Sequence, residues 1–135
     1  MKNYRLILWM LPLLFLSAIR LTATVNRQDA LEAVLSALKT GNVSNLVLRF
    51  EETVELTLPD QSGFSSKSQC QAQLSKFFAA NPVLTFELQH KGKSPTGSYA
   101  IGTLKTEQAS FRVNVFLRGK GGKELVRELR IQTMD

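Results

Sequence analysis

Residues 53–88 read TVELTLPDQSGFSSKSQCQAQLSKFFAANPVLTFEL, and the apolar period of this stretch changes twice. Val54, Leu56 and Leu58 alternate with Thr53, Glu55 and Thr57, the two-residue repeat of a half-buried strand. Pro59-Asp60-Gln61-Ser62-Gly63 is turn chemistry. Ser66 and Gln69 then form an S-x-x-Q capping box, in which each side chain satisfies a backbone N–H at the helix start. Cys70, Leu74, Phe77 and Phe78 follow on one apolar helical stripe. Asn81-Pro82 stops the helix, because proline biases its predecessor towards extended backbone. Leu84, Phe86 and Leu88 restore the two-residue repeat and line one face of a strand that ends at His90. The only cysteine therefore belongs to a buried helical face and not to a reactive loop.

Towards the N-terminus, Asn26 followed by Asp29 predicts a helix start, since Asn26 can accept from an orphan N–H and Asp29 favours the positive helix end. Leu31, Val34, Leu35 and Leu38 form its apolar stripe and Gly41 ends it. Val43, Leu46, Val47 and Phe50 keep helical spacing, which predicts a second, short helix. Towards the C-terminus, Lys91 to Gly97 reads as a hairpin loop. Ser98 to Lys105 is the next strand, with Tyr99 and Ile101 on one face and Ala100, Gly102 and Leu104 on the other. Phe111, Val113, Val115 and Leu117 alternate in another, and Leu125, Leu129 and Ile131 in the last. Arg127 shares the parity of those last three. Pairing them with Leu117, Val113 and Phe111 requires a three-residue loop, Lys120-Gly121-Gly122, and sets Arg127 opposite Val115 on the core side. A guanidinium there must be paired or must snorkel from the edge of the sheet.

The first residues differ from the rest. Lys2 and Arg5 precede an apolar run from Leu6 to Leu16, and small residues around Ala18 and Ala23 follow. This is the pattern of a secretory leader, and the run is too short for a membrane span of about 20 residues. An uncleaved anchor is the alternative. Cleavage after Ala18 or Ala23 fits the pattern; the second choice divides the chain into a leader, 1–23, and a single domain, 24–135. Of the formal charge of +6, three cations (Lys2, Arg5 and Arg20) belong to the leader, leaving +3 for the mature chain. A modest excess concentrated in C-terminal strands is an ordinary solvated sheet surface, and export argues against a nucleic-acid partner. No membrane contact is expected after cleavage.

Several chemistries are excluded by residue count. One cysteine cannot form an internal disulfide, and one histidine, His90, cannot build a multi-histidine metal site. The glycine-rich Gly119-Lys120-Gly121-Gly122 lies between two strands, whereas a phosphate-cradling loop leads from strand into helix. Glu51, Glu52 and Glu55 form the acidic cluster, read as a solvated edge. No cofactor and no catalytic residue is expected.

The element order is α-α-β-α-β-β-β-β, an α+β arrangement. It resembles the nuclear transport factor 2-like superfamily, with its cystatin-like cone, in which a curved antiparallel sheet wraps N-terminal helices. The segments Phe50-Glu51-Glu52-Thr53-Val54-Glu55-Leu56, Phe77-Phe78-Ala79-Ala80-Asn81-Pro82, Phe86 to Gly92 and Tyr99-Ala100-Ile101-Gly102-Thr103-Leu104 carry a closer resemblance. Spanning roughly residues 26 to 133, they are similar to a family of secreted bacterial proteins called domain of unknown function 4783. That resemblance implies an exported location, the periplasm or envelope of a Gram-negative bacterium, and no assigned activity.

Fold alone does not supply a function. The inward-facing residues are nearly all apolar, which favours a non-catalytic binding module holding a small apolar or amphipathic ligand in the cone. Arg127, Tyr99, His90 and Phe86 are its candidate ligand-binding residues, with Arg127 holding an anionic head. A homodimer or protein-docking module using the open sheet face is the alternative, and a cofactor-free enzyme using His90 or a carboxylate comes third.

Overall fold

Helix α1 (Ala30–Thr40) opens the part of the chain that the computed structural model describes, residues 29–135. The expected leader and the expected cap Asn26 lie outside the described residues. Asp29 itself caps α1, its carboxylate accepting from the Leu31 N–H at 3.4 Å. Gly41 closes the helix at φ 67°, a left-handed position that glycine occupies without strain. A short helix, α2 (Val43–Val47), follows, capped by Asn42.

Strand β1 (Phe50–Leu58) turns at Pro59-Asp60 into β2 (Gln61–Ser66), which the sequence reading missed. QSGFSS has no alternating apolar face, so nothing in its composition marks a strand; it is an edge strand held by backbone pairing to β1. Helix α3 (Lys67–Ala80) starts with the expected capping box, Gln69 N–H donating to Ser66 Oγ at 3.2 Å and Ser66 N–H to Gln69 Oε1 at 2.9 Å. Cys70, Leu74 and Phe78 are buried, while Phe77 is half-buried at the edge of the stripe.

Strands β3 (Val83–Ser94), β4 (Gly97–Thr106), β5 (Ser110–Lys120) and β6 (Lys123–Thr133) complete a sheet of order β2-β1-β6-β5-β4-β3. The β1–β6 contact is parallel, the other four antiparallel. Strand β3 continues through His90 to Ser94, because Lys91, Gly92 and Lys93 pair with Ala100, Tyr99 and Ser98; the turn shrinks to Pro95-Thr96. Two irregularities, at Leu84 and Gln89, interrupt β3, and of its expected apolar face only Phe86 is buried. At this sheet edge Leu84 and Leu88 stay exposed.

The β5–β6 register also departs from expectation. Gly121 (φ 59°) and Gly122 (φ 78°) form a two-residue turn with both residues left-handed, the hairpin that matches strand twist. Leu117 therefore pairs with Val126, and Val115 with Leu129. Arg127 is the extra residue of a bulge between them, exposed, while Val126 enters the core. The bulge exchanges a buried guanidinium for a buried valine, which removes a large desolvation cost.

The helices pack on the concave face. Val34 and Leu38 of α1, Leu74 of α3, and Leu104, Leu129 and Ile131 of the sheet are completely buried in one core. Two ion pairs fasten α1 to the end of β3: Lys91 to Glu32 at 2.8 Å and Lys93 to Asp29 at 3.0 Å.

Candidate functional site

Helix α3 carries a second face beside its core stripe. Ala72, Gln73, Lys76, Phe77 and Ala80 recur at helical spacing and look across at the β1–β2 turn, Leu58 to Gln61. Between them lies an open groove of about 560 Å³. Leu58, Pro59, Phe77 and Phe111 give it apolar walls, and Asp60, Gln73, Lys76 and Asn81 give it polar ones. Phe77 stands edge-to-face against Phe111 (5.1 Å, 74°) and against Phe78 (5.3 Å, 78°), so the aromatic wall is held in place from the core. The Asn81 amide donates to the Phe77 carbonyl at 3.0 Å and fixes the end of the helix there. Neither Lys76 nor Asp60 has an ion-pair partner among the described residues. An apolar body with one polar head matches this lining.

The four residues singled out from sequence do not line this groove. Phe86 is buried on the concave side, its ring lying across Gly102, where a methyl group would collide with it. His90 and Tyr99 are brought together on the outer face, with Tyr99 Oη 2.8 Å from His90 Nε2. The Tyr99 ring covers Gly92 and stacks with Phe116 at 6.2 Å. Arg127, expected on the core side, sits at the outer-face bulge, away from the other three. The groove escaped the sequence because it needs α3 and a turn to meet; its one local signal is the Ala72, Lys76, Ala80 repeat.

Other reactive groups are accounted for by packing. Cys70 is fully buried, and burial pushes its thiol above the ordinary range. Glu51 is not on a solvated edge: it is 8% exposed and grips Arg118 in two parallel hydrogen bonds, Nε to Oε1 at 3.1 Å and Nη2 to Oε2 at 3.0 Å. At the start of α1, the hydrogen bond from Lys93 holds the Asp29 carboxyl below its ordinary value, and Asp29 raises Lys93. No three His, Cys, Asp or Glu side chains converge as a metal site would require among the described residues.

The family described as domain of unknown function (DUF4783) matches residues 31–132. Among curated proteins none matches. A DUF4783 protein from Bacteroides uniformis ATCC 8492 is 31% identical, with a TM-score of 0.75 over 77% of this chain and 96% of its own. One from Bacteroides fragilis YCH46 is 33% identical, with a TM-score of 0.71 over 76% and 96%. An NTF-2 like protein of unknown function from Burkholderia xenovorans LB400, 13% identical over 78% of this chain and 82% of its own, shares the fold at a TM-score of 0.61. With the helix-filled curved sheet already described, these matches make the chain a member of the DUF4783 family with a nuclear transport factor 2-like fold.

Proposed function

We propose that this protein is an exported, non-catalytic binding module that takes a small amphipathic molecule in the groove between α3 and the β1–β2 turn. The observation that carries the reading is the groove itself: about 560 Å³, with an aromatic wall held from the core and an unpaired lysine among its lining residues. Its volume falls within the range of small-molecule sites, about 300–1,000 Å³. The concave interior is filled by aliphatic and aromatic side chains, which moves the proposed site from inside the cone to this outer groove. The export part rests on the leader pattern, and the mature chain then begins between Ile19 and Val25; N-terminal sequencing of envelope protein checks it, and a retained Met1 contradicts it.

N-Phenylnaphthylamine, an apolar body bearing one polar N–H and no anion, tests the site. Fluorescence should rise to saturation with the native protein. Ala72→Trp, at an exposed position, places an indole in the groove without touching the core and should abolish the signal. An unchanged titration in this variant removes the groove as the site.

A second reading, a protein-docking or dimer surface on the outer sheet face, is favoured by one observation. Phe116 is exposed and stacks on the Tyr99 ring, and on the same face the next outward residue of β5, Asn114, has its Oδ1 buried with no hydrogen-bond partner. An exposed aromatic pair of this kind is the apolar contact that a partner would cover. Sedimentation over a wide concentration range, with Phe116→Glu as control, tests self-association; association that Phe116→Glu leaves unchanged counts against this face.

A further inference from the structure

We infer that the outer face carries an oxyanion site, separate from the α3 groove, at the place where the sheet opens between β1 and β6. Between the pairs Phe50↔Val126 and Glu55↔Glu128, β1 advances five residues while β6 advances two. The parallel ladder cannot close over that mismatch, and the bulge at Arg127 falls in the same gap. A cleft of about 330 Å³ results, lined by these strands together with Lys120 and Arg118 of β5 and Phe64 of β2.

The charges in the cleft divide into one satisfied pair and three free groups. Glu51 and Arg118 occupy each other through two hydrogen bonds, so that carboxylate has no charge to spare for its neighbours. Arg127, Lys120 and Glu52 have no ion-pair partner among the described residues. Among the lining residues two free cations stand against one free carboxylate, with Glu55, in register with Phe64, outside the lining; a guanidinium and an ammonium on one cleft suit a phosphate, sulfate or carboxylate. The bulge explains how the arginine comes to face outward; an arginine that only needed solvent would not require a lysine and a cleft beside it.

Phe64 specifies the rest of the ligand. It is 75% exposed on an otherwise polar edge strand and lines the same cleft. A ring in that position adds a flat apolar contact next to the anion. The geometry points to an aryl or similarly flat molecule bearing one oxyanion.

Phenyl phosphate and inorganic phosphate are the probes, followed by heteronuclear NMR on the full domain. Phenyl phosphate should shift Phe64, Lys120 and Arg127 saturably and bind about fivefold tighter than inorganic phosphate. Phe64→Ala should erase that preference. Arg127→Gln and Lys120→Gln, both at the exposed surface, should each weaken binding about tenfold with the melting temperature unchanged. Glu52→Gln should tighten it about twofold by removing the opposing carboxylate. Absence of saturable shifts, or equal affinity in the Arg127→Gln/Lys120→Gln double variant, overturns the site. Equal affinity for the two probes in the native protein overturns the aryl assignment. Loss of binding in Ala72→Trp would place the anion in the α3 groove instead and also overturn it.

Discussion

Cys70 and Gly97 are fixed by what surrounds them rather than by any chemistry of their own. The Cys70 sulfur is sealed inside the core, 3.8 Å from the Ser65 carbonyl oxygen, and burial raises its thiol so that little reactive thiolate forms. Labelling with a thiol reagent should be slow in the native state and fast in denaturant. Cys70→Ala should cost about 1–2 kcal/mol in a denaturant melt. Rapid native labelling would contradict both the burial and the packing role. Gly97 pairs with Arg118, and a methyl group there would strike the Leu117 backbone carbonyl. Backbone cannot move aside as a side chain can, so Gly97→Ala should cost about 1–3 kcal/mol. A neutral result would show that the β4–β5 spacing is looser than described.

At the scale of elements, the start of α1 is where sequence and tertiary structure meet. Asp29 serves both as cap and as the partner of Lys93 on β3. Folding lowers the Asp29 pKa from its ordinary value near 3.8, so it favours the ionised carboxylate. This contribution is complete above about pH 5 and is lost as the pH falls through the folded value. Lys93, raised from its ordinary value near 10.5, contributes below that value and loses its share as the pH rises through its folded one. Melting temperatures of native protein and Asp29→Asn, which keeps a capping oxygen but not the charge, should differ at pH 6 and converge as the pH falls through the folded Asp29 value. A difference that persists in acid would mean that the cap, and not the ion pair, carries the effect.

The elements also show what a sequence can disclose. The capping box of α3, its Cys70–Leu74–Phe78 stripe and the alternation of β5 are local patterns, and each stands where its spacing puts it. Strand β2 was invisible, because QSGFSS is held by its neighbour's backbone and not by an apolar face. Parity reasoning placed Arg127 inward because it assumes an uninterrupted ladder; the bulge adds one residue and reverses the faces before it. The third spacer assigned to the hairpin loop was wrong for a related reason. Two successive left-handed glycines make the tighter turn, and the sequence supplies both.

For the whole molecule, one continuous core unites three helices and five strands among the described residues, with β2 joined to it only through β1, and family membership fixes the fold without fixing a function. What remains for function is surface: the α3 groove, the outer sheet face and the cleft at Arg127. The residues chosen from sequence were chosen for a ligand held in the cone, with Arg127 holding its anionic head, and the cone is packed. The groove could be found only after folding, because Leu58 and Phe77 are neither close in sequence nor on matching elements.

The central claim is that the α3 groove binds an amphipathic molecule, and an NMR titration with decanol, which carries no anion, tests it most directly. Saturable shifts are predicted at Asp60, Gln61, Ala72, Gln73, Lys76 and Asn81, with none on the outer sheet face, and they should vanish in Ala72→Trp. Shifts centred on Tyr99, Phe116 or Arg127, or a full titration that persists in Ala72→Trp, would contradict it.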